Sequence, residues 1–116
     1  MKRIIRLTRS QDFMRVRRVG KSYAHPLLVF VVAPGEQNHP RIGLITGKSL
    51  GNAVTRNRAR RRLRAAVDTL ANTLEGSWDA VLIARRPILN ARFADIPSAL
   101  RSLIQKAGLI GDEPGR

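Results

Sequence analysis

Hydrophobic and polar positions fall into blocks whose spacing changes along the chain. Phe13 and Val16 make a short apolar stripe at helical spacing, with Arg9, Arg15 and Arg18 directed elsewhere. A first helix is therefore predicted between a cap at Thr8 or Ser10 and a stop at Gly20, and Thr8 with Gln11 has the separation of a capping box. Pro26 and Pro34 bracket the run Leu27-Leu28-Val29-Phe30-Val31-Val32-Ala33, which is short for a helix and rich in branched and aromatic residues. It reads as a strand buried on both faces, with residues 21–25 adding a short edge strand before it. Turn residues occupy 35–40, and residues 41–46 resume as a second main strand, so the two are expected to form a hairpin with a loop of about six residues.

From Asn52 the period becomes that of a helix. Ala59, Leu63, Ala66, Val67, Leu70 and Leu74 share one face of a long helix expected over 52–74, capped by Asn52 and ended by Gly76. Residues 79–84 form the next strand with Trp78 at its mouth, and 96–107 a last amphipathic helix through Ile96, Leu100, Leu103 and Ile104. Residues 1–7 are expected as a flexible basic arm and 108–116 as a flexible tail. The order is α-β-β-β-α-β-α. A strand, a crossover helix and a strand in succession put 41–46 parallel to 79–84. The fold class is α/β: a two-layer sandwich of a small mixed sheet with helices, in a single domain over 1–116. Trp78, Phe30 and Phe93 are expected in the core, whereas Phe13, on a basic helix, suits burial and stacking equally.

Charge changes this picture from a generic sandwich to one with a polyanion in view. The formal net charge is +14 and the sequence pI about 11.9. Residues 1–64 hold sixteen Lys or Arg against Asp12 and Glu36, while 65–116 are balanced, so all the excess lies in the first half. The stretch from Lys48 to Arg64 places seven cations among seventeen residues, six of them on the helix whose other face is apolar. Arginine outnumbers lysine eighteen to four. That bias favours bidentate contact with phosphate, although a GC-rich genome would produce the same count. With no cysteine there is no disulfide framework and no thiolate chemistry, which is compatible with a reducing cytoplasm. The longest apolar run is too short for a membrane span, and the basic N-terminus lacks the apolar core of a signal peptide, so the chain reads as mature and soluble. The apolar face of the basic helix is needed by the sheet, which argues against a membrane surface as its partner.

Candidate chemistry is correspondingly that of binding. Arg56 and Arg58 lie in the first turns of the long helix, where the macrodipole disfavours cations by about 0.3–1 kcal/mol each. A docked phosphate would reverse that sign, gaining both the free N–H groups and the arginines. Arg56, Arg60 and Arg64 form a mutually repulsive ridge at i, i+4 and i+8. Asn57 can read a base edge or hydrogen-bond solvent. Thr46-Gly47-Lys48-Ser49 resembles part of a phosphate-binding loop, but Ile42 stands where the full pattern needs glycine, so nucleotide hydrolysis is set aside. His25 and His39 lack an evident acidic partner and the carboxylates look scattered, which leaves no protein-based catalytic constellation.

Read as a unit, residues 51–64, with Arg56-Asn57-Arg58 at the helix start, closely resemble the protein component of bacterial ribonuclease P. Arg41-Ile42-Gly43-Leu44 before it, Ala84-Arg85-Arg86-Pro87 after it and Asp12-Phe13 in a helix ending at Gly20 support the resemblance, which covers residues 4–107. It implies a small protein bound to a catalytic RNA, the two together removing the 5′ leader from precursor tRNA. The RNA and its bound magnesium would carry the hydrolysis, with no catalytic or metal-binding protein side chain. Arg56, Asn57, Arg58, Arg60, Arg61 and Arg64 would face the catalytic RNA. Phe13, Arg17, Val31 and Lys48 would line a leader cleft between the first helix and the sheet. Arg17 and Val31 occupy positions where the family often has aromatics, so stacking on the leader should be weaker and electrostatics stronger. The resemblance also implies a left-handed crossover, against the general right-handed rule. Whether the free protein associates weakly with itself is left open. The alternative function is a general structured-RNA-binding or ribosome-associated module without a processing role.

Overall fold

The computed structural model describes residues 5–110. Five strands form one sheet: β1 (Ile5–Arg6), β2 (Lys21–Ala24), β3 (Leu28–Pro34), β4 (Arg41–Ile45) and β5 (Trp78–Ala84). Three helices accompany them, α1 (Ser10–Val19), α2 (Ala53–Leu70) and α3 (Asp95–Lys106), with short 3₁₀ turns at Lys48–Leu50, Ala71–Thr73 and Arg86–Leu89. The spatial order is β1-β4-β5-β3-β2. β4 runs parallel to both β1 and β5, while β3 is antiparallel to β5 and β2, so the sheet is mixed and the parallel pairing of β4 with β5 across α2 is as expected.

The hairpin expected between 27–33 and 41–46 does not form, because β5 lies between them. β5 is buried at every position but Ile83 and takes the centre of the sheet, where both of its edges are paired. A six-residue loop reaches across two strand spacings, about 10 Å, as readily as it closes a hairpin. The loop crosses the start of β5 and is tied there by Gly35 N–H to Ser77 O at 3.0 Å and by the Ser77 hydroxyl to Gln37 O. Within the expected N-terminal arm, Ile5 and Arg6 instead form the edge strand and Leu7 is buried; residues 1–4 lie outside the described residues. Leu109 and Ile110, in the expected tail, pack half-buried against the core, and 111–116 lie outside the described residues.

One face of the sheet carries the main core. Leu28, Phe30, Ile42, Ala80 and Leu82 meet Ala59, Leu63, Ala66, Val67 and Leu70 of α2 and Ile96, Ala99, Leu100, Leu103 and Ile104 of α3. Phe30 and Trp78 pack edge to face at 6.1 Å, and Trp78 Nε1 donates to Glu75 O at 2.8 Å. Phe93 departs from expectation: it lies outside this core and is 41% exposed. α2 ends at Leu70 in a 3₁₀ turn, earlier than the apolar stripe indicated, although Leu74 still reaches the core. Asn52 caps α2 as predicted, its Oδ1 accepting from Thr55 N–H at 3.0 Å. α1 has no side-chain cap; Arg9 occupies that position, and neither Thr8 nor Ser10 serves. Gly20 does stop α1, but in extended backbone. Its need is for space, since a Cβ there would lie 2.4 Å from Val16 O and 2.8 Å from Val32 O. No helix among the described residues is long and apolar enough to cross a membrane.

Candidate nucleic-acid interface

The second face of the sheet is arranged in three rows across β3, β5 and β4, fixed by the strand register: Val29-Ile83-Ile45, then Val31-Val81-Gly43, then Ala33-Asp79-Arg41. α1 covers the second and third rows and leaves the first half-exposed. Val16 is fully buried against the sheet. At about 100° per residue, Asp12 and Arg15 then fall on one flank of α1 and Phe13 and Arg17 on the other. The Phe13 ring rests on Gly43, where a Cβ would come within 2.4 Å of Cζ; only glycine admits the ring at this depth. Half-buried Phe13 and exposed Arg17 therefore flank the half-exposed row of Val29, Ile83 and Ile45, the surface open to the expected leader cleft. Val31, expected to line it, is buried one row beneath α1 and only 6% exposed.

The opposite flank of α1 holds a cluster that sequence spacing did not reveal. Asp79 is fully buried, and it accepts from Arg41 Nε at 2.9 Å, Arg41 Nη2 at 2.8 Å and Arg15 Nη2. Asp12 adds longer contacts, 3.5 Å to Arg15 and 3.6 Å to Arg41, and Arg15 Nη1 also donates to Pro34 O at 3.1 Å. Burial is the largest single influence on the Asp79 carboxyl and pushes its pKa up, but the hydrogen bonds and charges of Arg41 and Arg15 outweigh it and hold the group below the ordinary aspartate range. Hydrogen bonding to Asp79 raises the pKa of both arginines, against the opposing effect of their own burial. The two histidines serve turns: His25 Nδ1 accepts from Leu27 N–H at 3.0 Å, and His39 Nδ1 lies 3.3 Å from Pro40 O.

β4 leads from the cleft to the basic helix. Ile45 is followed by buried Thr46, then by Gly47 and exposed Lys48 at a 3₁₀ turn, and α2 begins at Ala53 with no acidic residue in its first turn. Of the residues expected to contact RNA, Asn57, Arg58 and Arg61 are exposed, and Arg56, Arg60 and Arg64 are half-buried. Arg56 and Arg60 bond Thr46, on the side of α2 nearest β4. Arg62 is half-buried on the other side and donates to Ala91 O, so it ties the loop before α3. The six predicted residues thus share one helix, Lys48 adjoins its start, and Phe13 and Arg17 lie on the sheet face opposite α2. Among the described residues no three His, Cys, Asp or Glu side chains converge in a way that could hold a metal ion. The buried carboxylate, Asp79, is already saturated by arginine.

A family model for ribonuclease P matches residues 1–108. Among curated relatives, the ribonuclease P protein component of Herpetosiphon aurantiacus is 40% identical over 112 residues, covering 97% of this chain and 91% of its own. That of Oceanobacillus iheyensis is 36% identical over 95% of this chain and 92% of its own. A solved structure of the Staphylococcus aureus RNase P protein superimposes with a TM-score of 0.81 at 27% identity, covering 94% of this chain and all of that one. The RNase P protein from Thermotoga maritima shares the fold, with a TM-score of 0.78 at 22% identity over 87% of this chain and 96% of its own. A Gly43 that seats Phe13, an acid-free helix start at Arg56-Asn57-Arg58 and these full-length likenesses agree, and the chain belongs to the ribonuclease P protein family.

Proposed function

We propose that α2 presents Arg56, Asn57, Arg58, Arg60, Arg61 and Arg64 to the catalytic RNA of ribonuclease P, and that the cleft beside α1 receives the 5′ leader of precursor tRNA along Phe13, Arg17 and Lys48. As a member of the family, the chain is a protein component of an endoribonuclease that processes tRNA. The observation that carries the residue-level reading is the start of α2: a helix of 18 residues, capped by Asn52 and free of acids in its first turn, whose apolar face is spent on the core and whose other faces carry six arginines between Arg56 and Arg64. A phosphate there meets unpaired N–H groups, the positive dipole end and guanidinium forks together. In this reading Val29, Ile83 and Ile45 replace Val31 as the apolar floor of the leader cleft, and Val31, in the next row, packs beneath α1.

Magnesium enters as a property of the complex. Among the described residues no three His, Cys, Asp or Glu side chains gather to hold an ion, and no step is assigned to a protein-bound ion. The protein contributes affinity and position; the hydrolytic step belongs to the RNA. The setting that goes with this role is the cytoplasm.

Reconstitution tests the reading. Added to its matching catalytic RNA at low magnesium, the wild-type protein is expected to raise precursor-tRNA cleavage, and Arg58→Ala with Arg60→Ala to lose most of that stimulation through weaker RNA binding. Equal stimulation by both proteins would refute the role of α2. A general structured-RNA module would instead bind unrelated folded RNAs with equal affinity, and family membership does not favour it.

A further inference from the structure

β4 and α2 are joined by more than the connecting chain. Thr46 is 3% exposed, its backbone O accepts from Arg56 Nε at 3.0 Å, and its Oγ1 accepts from Arg60 Nη2 at 2.9 Å. One buried residue therefore holds two successive rungs of a ridge whose like charges, one turn apart, repel each other. Each arginine spends a single N–H on Thr46 and keeps its other four for a ligand. A free arginine side chain would have to give up its rotamer freedom on docking, and one already anchored gives up less.

We infer that Thr46 is a positioning residue for RNA binding: its hydroxyl aims Arg60, and its carbonyl aims Arg56, before the RNA arrives. Thr46 is too buried to touch the RNA itself and acts through the two guanidinium groups. The inference rests on the RNA-binding role proposed for α2.

Thr46→Val keeps the shape and the carbonyl and removes only the acceptor for Arg60. The dissociation constant for the matching catalytic RNA is expected to rise about threefold to tenfold, the value of one hydrogen bond. Thr46→Ser, which restores the hydroxyl, should return to wild-type affinity. In an Arg60→Ala background Thr46→Val should add nothing, while in an Arg56→Ala background it should keep its full effect, because that contact uses the carbonyl. Arg60→Lys leaves β4 untouched and supplies a second arm. It keeps the charge but loses the fork that meets Thr46 and a phosphate together, and should weaken binding about threefold or more. Unchanged or tighter binding by Thr46→Val, a full-sized loss in the Arg60→Ala background, no rescue by serine, or wild-type binding by Arg60→Lys would each overturn the inference. If the wild-type protein itself fails to stimulate the RNA, the proposed function falls and Thr46 with it. If the wild type stimulates and Thr46→Val behaves identically, only the role of Thr46 falls.

Discussion

Replacing Asp79 by Asn keeps the volume of a fully buried side chain and removes the charge to which two arginines are bonded. Three N–H groups, from Arg41 Nε, Arg41 Nη2 and Arg15 Nη2, then face an amide with one acceptor oxygen and a donor of its own. Breaking a buried ion pair by removing one partner costs about 3–5 kcal/mol. The low end applies here, because the Arg15 and Arg41 side chains retain 22% and 14% of their exposure and can regain some water, and Asp12 stays within 3.6 Å of Arg41. A loss of about 3 kcal/mol corresponds to roughly 12 °C in melting temperature for a chain of this size. Urea unfolding at pH 7 and fixed sulfate concentration, with the denaturant slope unchanged, measures it directly. The pH dependence supplies a second reading. The folded pKa of Asp79 lies below its unfolded value, so its stabilisation is fully present above the ordinary aspartate pKa of about 3.9 and is lost as pH falls through the lowered folded value. The gap between wild type and Asp79→Asn should be constant from neutrality to about pH 5 and close below about pH 4. A gap under about 1 kcal/mol at pH 7, or one that widens toward acid, would refute the account of this cluster.

Other outcomes follow from the same geometry. Gly43→Ala forces a Cβ against the Phe13 ring, so it should cost about 1–3 kcal/mol of stability by overpacking and weaken binding of leader-bearing precursor relative to mature tRNA; equal effects on both substrates would separate Phe13 from the leader. Asn52→Ala removes the acceptor for Thr55 N–H and should destabilise the protein by about 1 kcal/mol, read as a lower melting temperature. Affinity for the catalytic RNA should fall steeply with salt, and Arg58→Ala with Arg61→Ala should flatten that slope by about two while leaving stability nearly unchanged, since both side chains are exposed. A flat wild-type profile would contradict the electrostatic reading.

The helices and the longer strands were legible, the helices because each apolar face keeps its period, as with Leu63, Val67 and Leu70, and β3 because its run from Leu27 to Ala33 is short, branched and bracketed by prolines; the edge strand β1 was not. Strand order was not, because pairing is decided by which strand most needs two partners, and the deep burial of β5 emerges only when the whole sheet competes for its edges. The residues proposed to face RNA stand out in the sequence as a charge pattern on a periodic helix, and the structure places them together on α2. The surface proposed for the leader was legible only in part. Phe13 and Arg17 share a flank by helical arithmetic, but whether Val29 or Val31 is covered depends on where α1 crosses β3, and that is set by Gly20 and Gly43 at its two ends. The Asp79 cluster joins residues 12, 15, 41 and 79, too far apart in sequence for any local pattern to announce it.

The central place of β5 has a consequence for how the molecule comes into being. During synthesis the first 64 residues emerge with fourteen unbalanced positive charges, and β3 and β4 are made before β5, the strand that pairs with both of them in the finished sheet. The counter-ion of Arg15 and Arg41 arrives on that same late strand. Assembly of the sheet therefore awaits residue 84 and then closes contacts that are distant in sequence, a slow route for so small a chain. Throughout that interval the nascent segment is a soft polycation, and any polyanion nearby can engage it before its tertiary structure exists. The positive charge that the finished protein mounts on a folded helix is thus on the chain before that helix has a complete sheet to pack against.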